Sequence, residues 1–446
     1  MKKISTLALL LCCTLAAAAQ TRHWTLEECI RHAIEHNIDL KLQEQERQMR
    51  DIELNTSRYS WLPNLNASLG QNFDFGRSES RDGIIVDRTS ANSSGSLQTS
   101  MPLFDGFRII NDIAARKLNL KAATEALNKA KDDLSVGVAS YFLQVLYTKE
   151  IRTVAELQLA LTDEQVGKTE ALVQAGKVPL SQLYDINAQR ARDEVALTEA
   201  DNNVQLALLD LAQALELERQ ETTFDVSAPE IEDVIAENMA SILPPEDIYN
   251  HAVAFKPQIK QQELLLESQY KMLKVAQSGY YPRLNLNAGY SNGYFRFSGS
   301  GETVNIPFAD QLRQNERKTI GLSLTVPLFN RFEIRNSVRN ARVSIVNREL
   351  MMENTKKTLY KEIQQAYYSA IAAQEKYISS SKSVEASRQS FNYAEERYGA
   401  GKSTVFEYNE AKTKYAQSLS EQTQAKYNFI FRAKILDFYN GIAIRL

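Results

Sequence analysis

The stretches WLPNLNASLG (61–70), MPLFDGFRIIN (101–111) and QAGKVPLSQL (174–183) return in the same order as YYPRLNLNAG (280–289), VPLFNRFEIRN (326–336) and GAGKSTVFEY (399–408). Pro63 meets Pro282 at an offset of 219, whereas Pro102, Asn111 and Gly176 meet Pro327, Asn336 and Gly401 at 225. A spacing that holds on either side of a single six-residue change is what duplication of a structural unit leaves behind, with one indel in a loop. The chain divides accordingly into a first repeat over 20–217, an acidic linker over 218–246 that contains Pro244-Pro245, and a second repeat over 247–446.

Each repeat reads helix, two strands, long helix, short helix. Thr25 is the N-cap of an opening helix expected to run to about Arg58, and its counterpart is expected from Asp247 to about Ser278. After Pro63 the apolar spacing changes to strict alternation. Leu65, Ala67, Leu69, Phe73 and Phe75 share one face, against Asn64, Asn66, Ser68, Gly70, Asn72 and Asp74 on the other. Leu284, Leu286, Ala288 and Tyr290 repeat the pattern against Asn285, Asn287, Gly289 and Ser291. With their return strands these predict strand pairs over about 63–102 and 282–327, each strand roughly 10–12 residues long. Polar segments at 77–92 and 297–318 are expected as the connecting loops. Helical hairpins come next, over about 105–217 and 330–440. From Ile334 the apolar positions step by four and three through Val338, Ala341 and Ile345, and the matching helix carries Ile109, Ile113, Leu120, Leu127, Leu134, Val138, Leu159, Val166 and Val173. So narrow a seam sustained over about nine heptads predicts coiled coil, in helices about 100 Å long.

Composition narrows the setting. Lys2 and Lys3 precede the apolar run Leu7–Leu15 and the small residues Ala16–Ala19, a secretory signal over 1–19 whose removal takes the formal charge from −3 to about −5. Cys29 is then the only cysteine, which excludes an internal disulfide framework and a Cys-ligated zinc site; its reactivity is not legible from sequence. A mildly acidic exported chain does not suit nucleic-acid binding. No later stretch approaches 18 consecutive apolar residues, as a membrane helix would need. The strands tell otherwise: they are of bilayer-crossing length, and their polar face is small and, before Asp74 at one strand end, uncharged, as in a barrel lined by water. Four strands cannot close a barrel, and an open sheet edge cannot remain in lipid, so the chain must oligomerise. Two copies would give eight strands around a filled interior, and three would give twelve around a lumen. A periplasmic coiled-coil scaffold or adaptor with a small soluble β-domain is the competing reading.

The repeat, the opening TLEECIRHAIEHN (25–37), the W/Y-x-P-x-L strand entries, PLF at both strand exits and the glycine turns together resemble the TolC-like outer-membrane efflux proteins. The resemblance covers the whole mature chain. It implies a mainly α fold with transmembrane β: a homotrimer with a twelve-stranded barrel in the outer membrane and a helical tunnel across the periplasm. It also implies a passive exit duct for drug efflux or type I secretion, partnered by a periplasmic adaptor and an energised inner-membrane pump. In that family the turns between long and short helices form the periplasmic tip, where the gate lies and adaptors dock. Those turns carry Gly176, Lys177, Gln182 and Asp185 in the first repeat, and Gly401 and Lys402 in the second. Glu407 and Glu410 fall at the family's acidic constriction rings, and Tyr398 matches a tyrosine that helps hold the gate shut. The acid that tyrosine would bond is Gln182 here, and the basic residue after the second turn, Lys402, stands one position early.

Other chemistry finds little support. His32-Ala-Ile-Glu35-His36 matches the inverted zinc-protease string, but the repeat places His251 and Phe255 at the two histidine positions, which keeps a helix face and loses the metal pair. Neither a G-x-S-x-G elbow nor a phosphate-cradling glycine loop occurs, so no catalytic, cofactor or metal residue is assigned.

Overall fold

The computed structural model describes residues 22–79, 83–217, 224–227, 235, 239, 242–299 and 305–446. The signal over 1–19 and most of the linker lie outside the described residues. The chain forms two compact units: one of residues up to Gln45, Glu125–Lys260 and Glu353–Leu446, the other of Glu46–Thr124 and Gln261–Met352.

The duplication is written into element lengths. After β1 (Arg22–Trp24) come α1 (Leu26–His36), α2 (Ile38–Tyr59), β2 (Asn66–Asp74), β3 (Arg77–Glu79), β4 (Ile85–Phe104), α3 (Arg108–Gln174) and α4 (Leu180–Ala214). Past β5 (Phe224–Val226), the second half has α5 (Pro245–Phe255), α6 (Pro257–Gln277), β6 (Arg283–Gly299), α7 (Phe308–Gln314), β7 (Arg317–Thr325), α8 (Glu333–Gly399) and α9 (Val405–Tyr439). The long helices α3 and α8 both have 67 residues, and the return helices α4 and α9 both have 35.

The opening helix expected to be continuous is broken in both halves. Asn37 leaves the helical conformation and accepts a hydrogen bond from Leu40 N at 3.1 Å, capping α2. At the matching place Pro257 forces the residue before it out of the helix, and Lys256 sits at φ −60°, ψ 128°. The counterpart helix begins at Pro245, its N1 position, two residues before the expected Asp247.

In the second of the two units the antiparallel order is β2-β4-β6-β7, with β3 on the outer part of β4. Register sorts the faces: Ser68 lies opposite Ser96, Gln98 opposite Gly289 and Asn287 opposite Gly321 on the polar face. Leu97 opposes Tyr290, and Leu286 opposes Leu322, on the apolar face. That apolar face is bare: Leu69 is 91% and Ile320 84% exposed. The strands are not of equal length. β2 and β7 have 9 residues each, but β4 has 20 and β6 has 17, so part of the segment expected as loop over 77–92 is strand. The two long strands stay paired as far as Arg88 and Gly299, beyond the reach of either edge strand.

Past Ser291, where β7 ends its pairing, three side-chain amides from the segment after β6 satisfy its free edge. Asn315 donates to Gly293 O at 2.6 Å. Gln311 accepts from Phe295 N at 2.9 Å and donates to its carbonyl at 2.8 Å; Asn305 does the same for Phe297, both at 2.8 Å.

In the first unit, α1 and α5 dock on the middles of the long helices. Trp24, Cys29, Ala33, Val138, Phe142 and Leu211 form one core; Ile248, Ala252, Ile259, Leu359, Ile363 and Leu436 form its repeat. Burial pushes the Cys29 thiol up to about 12, so it is an inert core residue. A parallel pairing of β1 with β5 borders the first core, Trp24 opposite Val226.

Candidate functional site at the helical turns

Both hairpins turn through a glycine in the left-handed conformation, Gly176 and Gly401, each at φ +67°. The amide after each glycine closes the turn: Lys177 N donates to Leu172 O at 2.9 Å, and Lys402 N to Arg397 O at 2.8 Å. A Cβ at either glycine would meet no heavy atom within 4 Å, so only backbone strain resists substitution there. Gly401→Val should cost about 1–2 kcal/mol of local stability. The Lys402 amide should then exchange its hydrogen roughly ten-fold faster or more; an unchanged rate would show that the turn relaxes out of the left-handed form.

The return helices that leave the two turns are capped differently. Pro179 caps α4 without a side-chain hydrogen bond, and Gln182 N donates to Pro179 O at 3.1 Å. Thr404 instead forms a capping box with Glu407: the Glu407 amide donates to Thr404 Oγ1, and the Glu407 carboxylate accepts from Thr404 N, each at 3.2 Å. Glu407 is therefore a helix-capping residue whatever else it does. It stays exposed, as does Glu410, three residues further along the same helix face. Lys177, Asp185 and Lys402 are exposed as well.

Tyr398 lies against Tyr408, with ring centroids 5.4 Å apart, and its hydroxyl meets Thr169 Oγ1 at 3.5 Å. Its hydrogen-bond partner is thus Thr169 of α3, where the family pattern pointed to the position of Gln182. Tyr408 is buried, and burial, with Glu395 and Glu164 adding to it, keeps the phenol protonated far above neutral pH.

Sequence reasoning missed a buried charged link between the two hairpins. Near the turns the buried face of α3 is Gln158, Thr162, Gln165 and Thr169; the apolar Leu159 and Val166, expected there, are only half-buried. Into this polar stripe reaches Lys412 of α9, 2% exposed. Its ammonium donates to Asp193 of α4 at 2.7 Å, to Gln158 O at 3.2 Å and to the Thr162 hydroxyl. Asp193 also accepts from Gln189 at 2.8 Å. One lysine therefore ties α9 to both helices of the other hairpin. The signal was present: Lys412 succeeds Val405 and Tyr408 at seam spacing, where a charge is out of place.

His36 stacks on His32 with centroids 4.0 Å apart, and among the described residues no three His, Cys, Asp or Glu side chains converge as a metal site.

A sheet with one bare apolar face and one polar face, in a chain that also carries two 67-residue helices, has the make-up of an outer-membrane protein of the helical-hairpin kind. A family model described as outer membrane efflux protein matches residues 29–216 and again 248–434. The chain is 21% identical over 402 residues to the outer membrane protein TolC of Salmonella enteritidis, with 88% of this chain and 77% of that protein covered. It is 24% identical over 348 residues to the pyoverdine export outer membrane protein OpmQ of Pseudomonas putida, with 77% and 69% covered. Its fold matches the crystal structure of the Campylobacter jejuni CmeC outer membrane channel with a TM-score of 0.73 at 18% identity, over 94% of this chain and 86% of that one.

The chain belongs to the outer membrane efflux protein family, whose model it matches once in each repeat. It is an efflux-duct protein of the outer membrane with a periplasmic part.

Proposed function

We propose that three copies close a twelve-stranded barrel, and that the helical turns form the periplasmic end at which an adaptor docks and Glu407 and Glu410 ring the pore. The carrying observation is the sheet itself. Its apolar face is bare, and its edge strands β2 and β7, nine residues each, are matched in length. Lipid tolerates neither edge open, so β7 of one copy pairs with β2 of the next. Two copies would leave the polar face lining a filled interior, and three leave room for a duct. Gly176, Lys177 and Asp185 on one turn, with Gly401 and Lys402 on the other, present exposed backbone and charge to the adaptor, with the half-buried Gln182 beside them. Recognition and energy come from an inner-membrane pump joined through that adaptor, for drug efflux or type I secretion.

The mass of the detergent-extracted mature chain, by light scattering with detergent subtracted, tests the assembly. Three chains per particle are expected; a water-soluble monomer or dimer would replace the duct by a periplasmic scaffold. The ring is tested separately by Glu407→Gln with Glu410→Gln, since glutamine keeps the capping box while removing the charge. In planar bilayers this variant should lose cation preference several-fold and resist block by a trivalent cation. Unchanged selectivity and block would remove both carboxylates from the pore.

A further inference from the structure

The apolar face of the sheet ends in both halves on the same pair of rings. Phe104, opposite Leu284 on that face, meets Phe107 edge-on with centroids 5.3 Å apart, and Phe329 meets Phe332 in the same way at 5.7 Å. Phe107 and Phe332 both stand at positive φ, 64° and 63°, which costs on the order of 1–2 kcal/mol at each. Neither ring is buried in return: they are 54% and 55% exposed. Aromatic side chains held out at the end of a lipid-facing surface form the belt found at a membrane interface.

Beside Phe107, within the same unit, opens a groove of about 970 Å³ lined by Tyr280, Tyr281, Lys274, Arg335, Arg339 and Arg342. No carboxylate lines it, and among the described residues no ion pair joins any of the four cations to one. Glu333, two residues before Arg335, does not line the groove, and three acids on flanking segments hold other partners. Asp105 accepts from Ile109 N at 3.0 Å, Asp112 from the Ser57 hydroxyl at 2.6 Å, and Glu349 from the Tyr270 hydroxyl at 2.8 Å. Three guanidinium groups and an ammonium converging without a counter-charge make a receptor for phosphate oxygens, which arginine grips two at a time.

We propose that this groove holds the phosphodiester headgroup of an anionic phospholipid at the foot of the sheet, an inference that rests on the outer-membrane placement and not on the number of copies. Depth fits. α8 starts at Glu333, so Arg335, Arg339 and Arg342 lie about 3, 9 and 14 Å along it at 1.5 Å per residue. The headgroup layer beyond the hydrocarbon is about 5–8 Å thick. Arg335 and Arg339 reach it directly, and the long side chain of Arg342 extends back towards it. The lipid's acyl chains would then run along the bare leucine and isoleucine face, with the glycerol beside the tyrosines.

The test uses the full chain purified in detergent and native mass spectrometry with short-chain phosphatidylglycerol, short-chain phosphatidylcholine and inorganic phosphate. Phosphatidylglycerol should bind at least ten-fold more tightly than phosphatidylcholine. Arg335→Gln with Arg339→Gln and Arg342→Gln should bring the two lipids to parity, with heat-modifiable mobility and single-channel conductance retained as evidence of folding. Lys274→Gln alone should weaken phosphatidylglycerol about three-fold, which keeps the proposal testable if the triple variant does not assemble. Equal binding of both lipids by the unaltered chain, or a preference that survives the triple change, would overturn the site. So would inorganic phosphate displacing phosphatidylglycerol at equal concentration, since the groove would then be an ion site without lipid.

Discussion

Lys412→Met should loosen the helical turns more than any other single change. The substitution leaves the Asp193 carboxylate, 12% exposed, without its ammonium partner, and removes a side chain that joins α9 with α3 and α4 at once. Removing one member of a buried pair costs about 3–5 kcal/mol, because the remaining charge is stranded away from water. The loss should be local, since the core around Val138 and Phe142 lies far along the helix in sequence. Amides over 158–169 and 405–415 should therefore exchange hydrogen a hundred-fold faster or more, while those around 138–146 keep their rate. Lys412→Met combined with Asp193→Leu should recover most of the protection, because an apolar pair of similar volume replaces a buried ion pair at little net cost. If the single variant exchanged like the unaltered chain, the network would be ornament. If the double variant were as open as the single, packing rather than charge would be the cause.

The second large effect is on pH dependence. Lys256 ends α5 with its side chain almost wholly buried, its Nζ 2.9 Å from Phe438 O, 3.3 Å from the Phe438 ring centroid and 3.9 Å from Asp132. Burial pulls the ammonium down to about 8, against the opposing pull of Asp132 and Asp133. A lysine whose folded value lies below its unfolded value holds its proton more weakly in the folded state. Between pH 8 and about 10.5 the unfolded chain binds the extra proton, so this residue makes stability rise with pH; below pH 8 the penalty is constant. Its size is roughly 3 kcal/mol. Lys256→Met should thus be the more heat-stable protein at pH 7.5, and the gap to the unaltered chain should close as pH approaches 10.5. Comparing the two chains at each pH cancels the titration of other groups. A gap that stayed constant would show that the ammonium is not the source of the penalty.

The parts of this molecule legible in its sequence are those in which one rule holds over many residues. Alternation after Pro63 and Pro282 placed the strands and their faces, and the seam from Ile334 marked the long helix. The fixed offset of 225 told that α3 and α8 would match in length. The features that escaped depend on single side chains or on distant partners. Asn37 interrupts a helix by capping the next one, which periodicity does not register. β1 and β5 are three residues each, too short to show alternation, and they find one another across about two hundred positions. β4 runs on through polar residues because β6 accompanies it as far as Arg88 and β3 pairs with it from Asp87 to Ile85, and only the pairing reveals this. The candidate site divides the same way. Gly176 and Gly401 announced the turns, and the charge of Lys412 at seam spacing marks one buried end of the network, while Asp193 and Thr162 stand out only once three helices are brought together.

The amides of Asn305, Gln311 and Asn315 have a consequence for the chain before it reaches its membrane. An exposed strand edge is a template on which any extended polypeptide can add itself. On β6 that template is occupied in advance, at alternate residues 293, 295 and 297, by side chains of the same molecule. Growth of the sheet on that flank is thus restricted to the nine residues of β7, and a stray strand cannot lengthen the seam. The molecule carries its own terminator for β-polymerisation, and it fixes the level at which one subunit can stop zipping to the next.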